Sequence, residues 1–187
     1  MIDLAVALRA VVAAFEDAET DYVLVGSVAA AVWGVTRATR DVDLVAVLSE
    51  RGFDLLVARL DPAEYYLPVA DARAMIGTGG SFNVLHTTSG GKVDVFVVAM
   101  TDAFERSRMQ RRIRADVLGV SALVASPEDV VLAKLRWRRE TRSEVQWRDC
   151  VEIVAINEID VDYVRRWAVA LDIEIDVEDL LASRDLG

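Results

Sequence analysis

The chain has 187 residues, 53% of them hydrophobic, and a formal net charge of −10. This length and composition fit one domain with a real core, with or without a helical appendage, and argue against disorder. The acidic balance argues against indiscriminate polyanion binding, and a single cysteine, Cys150, excludes an internal disulfide framework and a cysteine-based zinc site.

The first segment, residues 3–18, has helical apolar spacing and carries Asp3 where a secretory signal would be basic. Tyr22–Val25 reads as a strand. Gly26-Ser27 breaks it, and Val28–Trp33 reads as a buried, alanine-rich helix ended by Gly34. Asp41–Leu48 is a strand, Arg51–Leu60 a helix stopped by Asp61-Pro62, and Ala70–Ile76 a short helix. Ser81–Thr87 and Lys92–Ala99 are strands joined by a hairpin signal, "TSGG". Asp102–Met109 reads as a helix, and Ile113–Val124 as one strand or two short ones.

Ser126-Pro127-Glu128-Asp129 is a helix start, with a serine cap, a proline in the first turn and acids at the positive end of the dipole. Helices then follow at about 127–141, 143–157, 160–171 and 176–184. The expected architecture is α/β (α+β): a small mixed sheet with flanking helices over residues 1–125, and a C-terminal helical lobe over 126–187. No apolar run reaches the roughly 20 residues of a membrane helix, and the expected compartment is the cytoplasm.

The chemistry concentrates in "YVLVGSVAAAVWGVTRATRDVDLVAVL", Tyr22 to Leu48. A strand, Gly26-Ser27 and a helix place free amides and the Ser27 hydroxyl where an anion can sit. Asp41 and Asp43 stand two apart in a strand and share one face. Such a pair repels itself unless a cation lies between, and magnesium or manganese suits hard oxygen ligands. Asp94, in "KVDVFVV", supplies a third carboxylate if its strand neighbours the first. Three carboxylates can hold two metals about 3.5–4 Å apart for an in-line phosphoryl displacement.

Gly26-Ser27, Asp41-Val42-Asp43 and the separate Asp94 resemble the nucleotidyltransferase superfamily of DNA polymerase beta. The stretch from Gly26 to Leu44, with Thr39 to Asp43 matching a Thr-x-Asp-hydrophobic-Asp pattern, looks most like the small bacterial nucleotidyltransferases related to the AbiEii toxin of type IV toxin–antitoxin systems. The helices after Ser126 are similar to that group's C-terminal helices, with Lys134, Arg148 and Asp149 at matching positions. The resemblance implies NMP transfer from an NTP to an acceptor hydroxyl of RNA or protein, releasing pyrophosphate, and a possible antitoxin partner. Asp41 and Asp43 would hold metal, and Asp94 would complete the metal site and orient the acceptor hydroxyl. Gly26 and Ser27 would hold the β/γ-phosphates, with Lys134, Arg37 and Arg40 neutralising phosphate charge.

Each residue also has a plainer reading. Asp43 could pair with Arg37 or Arg40, Asp94 could be a strand-edge aspartate, and Ser27 could satisfy a turn. Lys134 could snorkel, and Asp149 could brace helices through Arg148 or Lys134. His86 reads as packed or surface-exposed, Trp137, Trp147 and Trp167 as lobe packing, and Cys150 as buried and inert. Two other functions stay open: modification of a small antibiotic by the same site, and a non-catalytic nucleotide- or partner-binding module. Two basic clusters, residues 105–114 and 134–148, read either as ordinary solvated helix faces or as a basic rim that leans toward an RNA acceptor.

Overall fold

The computed structural model describes residues 2–184. The first helix, α1 (Leu4–Asp17), is capped by Asp3 and buries Leu4, Ala7, Leu8, Val11, Val12 and Phe15, the face its apolar spacing prescribes. Strand β1 (Tyr22–Val25) runs directly into α2 (Gly26–Val32), which begins two residues earlier than the alanine pattern implies. The reason is Gly26, whose φ of 66° turns the chain without a linker. Next come β2 (Val42–Ala46) and α3 (Glu50–Arg59), the latter capped by Ser49.

A short strand that the sequence does not announce, β3 (Tyr65–Tyr66), precedes α4 (Val69–Ala74). Two residues are too few for a period-2 pattern, and β3 exists because it pairs with β4 (Gly80–His86). The hairpin closes with β5 (Lys92–Val97), followed by α5 (Ala103–Arg111). The 113–124 segment is two strands, β6 (Ile113–Val117) and β7 (Val120–Val124), turning at Leu118-Gly119. The last part is helical: α6 (Pro127–Thr141), α7 (Glu144–Ile156), α8 (Val161–Leu171) and α9 (Glu174–Arg184).

Among the described residues seven strands form one mixed sheet in the order β3-β4-β5-β2-β1-β7-β6. At its centre β2 and β5 run parallel, and β1 lies antiparallel to β2. Helix α1 lies against β4, β5 and β7 and packs on α3, while α2 meets β2 and α6. Val42, Leu44, Val93 and Val95 are fully buried, and the residues alternating with them form the other face. That face lies toward the helical lobe. The lobe is tied on by Asn157, whose amide donates to the Trp33 carbonyl at 2.9 Å, and Trp33 Nε1 in turn donates to the Ala125 carbonyl at 2.8 Å, just before the lobe begins.

Candidate active site

Register builds the site. Val25 pairs with Asp43, Asp43 with Asp94, and Asp94 with Asn83. Paired residues point to the same side of a sheet, so one row crosses four strands: Val25, Asp43, Asp94, Asn83. Asp41 precedes β2 by one residue, and Lys92 stands two residues before Asp94. The Lys92 ammonium lies 2.8 Å from Asp94 Oδ2 and 3.4 Å from Asp41 Oδ2. Lys92 is a residue that sequence reasoning missed. Its signal was present, because "KVD" puts lysine and aspartate on one strand face.

The Asp43 carboxylate packs on Gly26. A Cβ at Gly26 would come within 2.0 Å of Asp43 Oδ2, so the glycine is needed for this contact as well as for its positive φ. Among the described residues no donor bonds the Asp43 carboxylate. Burial, then the nearby Asp41 and Asp94 carboxylates, push its pKa up to about 6. Asp94 Oδ1 is buried with no hydrogen-bond partner among the described residues. Lys92 is shifted upward, chiefly by its bond to Asp94. Among the described residues no three acidic, histidine or cysteine side chains already stand at metal-ligand spacing.

Opposite the sheet stands a helical wall. Lys134 donates to Asp149 Oδ2 at 2.6 Å and to Gln146 Oε1 at 3.0 Å. Arg37 Nε donates to the same Asp149 oxygen at 3.2 Å, and its Nη2 donates to Ser27 Oγ. One chain of contacts therefore links Ser27, Arg37, Asp149 and Lys134. Helix α2 has no side-chain cap, which leaves the amides of its first turn without a local acceptor.

Between the walls lies a cleft of about 340 Å³, lined by Gly26, Ser27, Asp43, Lys134 and Gln146, with Phe96, Trp137 and Arg108 beside them. The structure thus brings Gly26, Ser27, Asp43 and Lys134 to one cleft, with Asp94 one strand further and Asp41 joined through Lys92. Arg37 reaches Ser27 from outside the lining. Arg40 and Arg148 are exposed and do not line the cleft. Trp137 departs from lobe packing: it is 57% exposed and lines the cleft. Trp167 packs on Phe104, and Arg138 stacks over Trp147. His86 is held in the hairpin by Ser89 and lies against Tyr65. Cys150 is buried, and burial pushes its thiol up to about 12.

The basic clusters are largely committed to acids. Arg108 pairs with Glu105, Arg111 with Glu128, Arg112 with Asp21 and Arg114 with Glu16. In the second cluster Arg138 pairs with Asp176 and Arg139 with Asp172.

This mixed sheet, with its carboxylate row facing a Gly-Ser turn, has a nucleotidyltransferase-like fold. A nucleotidyltransferase-like protein from Paracoccidioides brasiliensis, described as antigenic, superposes with a TM-score of 0.55 at 17% identity, over 96% of this chain and 94% of that one. The lincomycin-bound lincosamide antibiotic adenylyltransferase LnuA also gives 0.55, at 14% identity, over 83% of this chain and 99% of that one. At these identities the likeness is one of fold. The sequence over residues 3–185 matches the family described as "Nucleotidyltransferase of unknown function (DUF6036)", and the chain belongs to that family. No curated protein matches the chain. Among the described residues no helix is long and apolar enough to cross a membrane.

Proposed function

We propose that this protein transfers a nucleoside monophosphate from an NTP to an acceptor hydroxyl and releases pyrophosphate. The observation that carries the reading is that Asp43 lines one cleft with the Gly26-Ser27 turn and has Asp94 as its register partner on the next strand. The donor set fits a hard divalent cation. Its groups are carboxylates, Asp94 Oδ1 is buried without a donor among the described residues, and an ammonium already sits between Asp41 and Asp94. Asp43 and Asp94, with Asp41 held beside them through Lys92, would hold magnesium or manganese, which when bound neutralises phosphate charge and polarises the reacting oxygens.

The remaining work falls to the chain's own groups. The first-turn amides of α2 and the Ser27 hydroxyl bind the β/γ-phosphates, once Arg37 turns its guanidinium from Ser27 to the phosphates. Lys134, held at the cleft by Asp149 and Gln146, adds a second positive charge, and Arg40 is a third candidate from the adjoining loop. Asp94 orients the acceptor hydroxyl and accepts its proton. Catalysis of this kind is positioning and charge stabilisation.

An RNA or protein acceptor is the first reading. The pairing of the basic clusters favours a second, a small-molecule acceptor, because most of their cations answer local acids rather than forming a free stripe. The apolar side chains of Phe96, Val130 and Trp137 in the cleft suit such a molecule. A toxin-like role and an antitoxin partner rest on the AbiEii resemblance alone, and growth arrest on expression tests them. Incubation with each labelled NTP, magnesium, and cellular RNA, protein or small-molecule extract tests the main reading. Label should move to one acceptor class with release of pyrophosphate. No transfer from any NTP to any fraction would overturn the reading.

A further inference from the structure

We infer that Lys92 is a built-in counter-cation, taking the place of one of the two divalent ions that such chemistry can use, so that the carboxylate row admits a single divalent ion. The inference rests on the nucleotidyl-transfer reading for what that ion does.

Lys92 and Asp94 are two apart on β5 and share a face. The Lys92 ammonium contacts one oxygen of Asp94 at 2.8 Å and one of Asp41 at 3.4 Å. It therefore bridges carboxylates from two adjacent strand segments, as a bridging cation would. A divalent ion on the same two oxygens would crowd the ammonium, and like charges that close repel strongly. Among the described residues, the oxygens of these three carboxylates left without a donor are those of Asp43 and the buried Asp94 Oδ1. Asp43 and Asp94 are register partners, so these oxygens belong to one place, beside the Gly26-Ser27 turn. That set can hold one ion, completed by phosphate oxygens. Lys92 is thus a positioning residue: it fixes Asp41 and Asp94 and decides how many ions enter.

Manganese alone, titrated into metal-free protein and followed by electron paramagnetic resonance, tests this without turnover. Wild type should bind one ion per chain, Lys92→Arg should also bind one, and Lys92→Met should bind two. Lys92→Gln, neutral but polar, makes the same comparison should the methionine variant fail to fold. A wild-type count other than one would overturn the inference, and so would neutral variants that keep the wild-type count. Two ions in wild type would leave the transfer reading standing. Absence of nucleotide transfer would sink that reading without changing the ion count.

Discussion

On the helical wall of the cleft, Asp149 is 4% exposed and accepts from Lys134 at 2.6 Å and Arg37 at 3.2 Å. On the sheet wall, Asp43 sits half-buried between two other carboxylates with no donor among the described residues, and its pKa is pushed up to about 6. Both are aspartates taken partly out of water. One has its charge answered and contributes to holding α6, α7 and the 34–40 loop together. The other leaves its charge unanswered, which costs stability in the absence of a cation. A carboxylate whose charge is met inside the chain reads as structure, and one left short of positive charge reads as a site awaiting it.

The sharpest test makes the same change on both walls. Asp43→Asn should lower nucleotide transfer by about 10²–10³-fold, the scale expected for removing a preorganised charge-stabilising group. It should leave the metal-free protein as stable as wild type or up to about 1 kcal/mol more stable, because Asn is nearly isosteric and carboxylate repulsion falls. Transfer assays and thermal melts of the metal-free protein check both halves. A large loss of stability with transfer intact would make Asp43 a second Asp149, and the contrast between the walls would vanish.

Asp149→Asn should move stability the other way. It leaves the Lys134 ammonium, 5% exposed, facing only amide oxygens. Removing one partner of a buried pair costs about 3 kcal/mol or more. For a chain of this size that corresponds to a melting-point drop of about 6–12 °C. Calorimetry of the two Asn variants side by side should therefore show opposite signs.

Gly26→Ala probes the sheet wall from behind. A φ of 66° costs a non-glycine residue about 1–2 kcal/mol, and the new Cβ would displace Asp43 Oδ2 from 2.0 Å. A stability loss of about 1–2 kcal/mol, with weaker manganese binding, is expected in chemical denaturation and metal titration. Unchanged metal binding would show that the Asp43 position matters less than its charge.

Much of this was legible in the sequence because β-strand alternation is local. Asp43 and Asp94 could be assigned to strand faces from period-2 patterns alone, Asp41 falls one residue before β2, the strand expected to include it, and Ser126-Pro127 marked the start of α6 at the right residue. The register of β2 against β5 is not local. Nothing within either segment states that Asp43 lies opposite Asp94 rather than one residue away. Lys92 was hidden for the same reason, since its partner Asp41 lies in another strand segment. The pairing of the basic clusters is likewise not local. Their acids, Glu16, Asp21 and Asp172 among them, are distant in sequence and close in space.

The smallest expected effect is a slope with pH, and it separates the walls without touching either by mutation. The ordinary Asp43 value is 3.8, and in the folded chain it rises to about 6. Between about pH 4 and pH 6 the folded state therefore binds more protons at this position than the unfolded state does. Stability must then fall as pH rises through that window and level off above it. The effect is on the order of 1 kcal/mol once solvent screening of a partly exposed group is allowed for. Glu16 and Glu128, whose pKa values are lowered, lose their contribution as pH falls and so tilt the curve the other way. Buried Asp129, raised by burial, adds to the Asp43 trend. These three are common to wild type and Asp43→Asn, so the difference between the two curves isolates Asp43. That difference should grow from pH 4 to pH 6 in favour of the Asn variant in metal-free urea titrations. Saturating magnesium should shrink or reverse it, because a cation bound to the carboxylate favours its charged form and pulls the folded pKa down. A difference curve that is flat without metal would mean that Asp43 finds its charge answered after all, as Asp149 does.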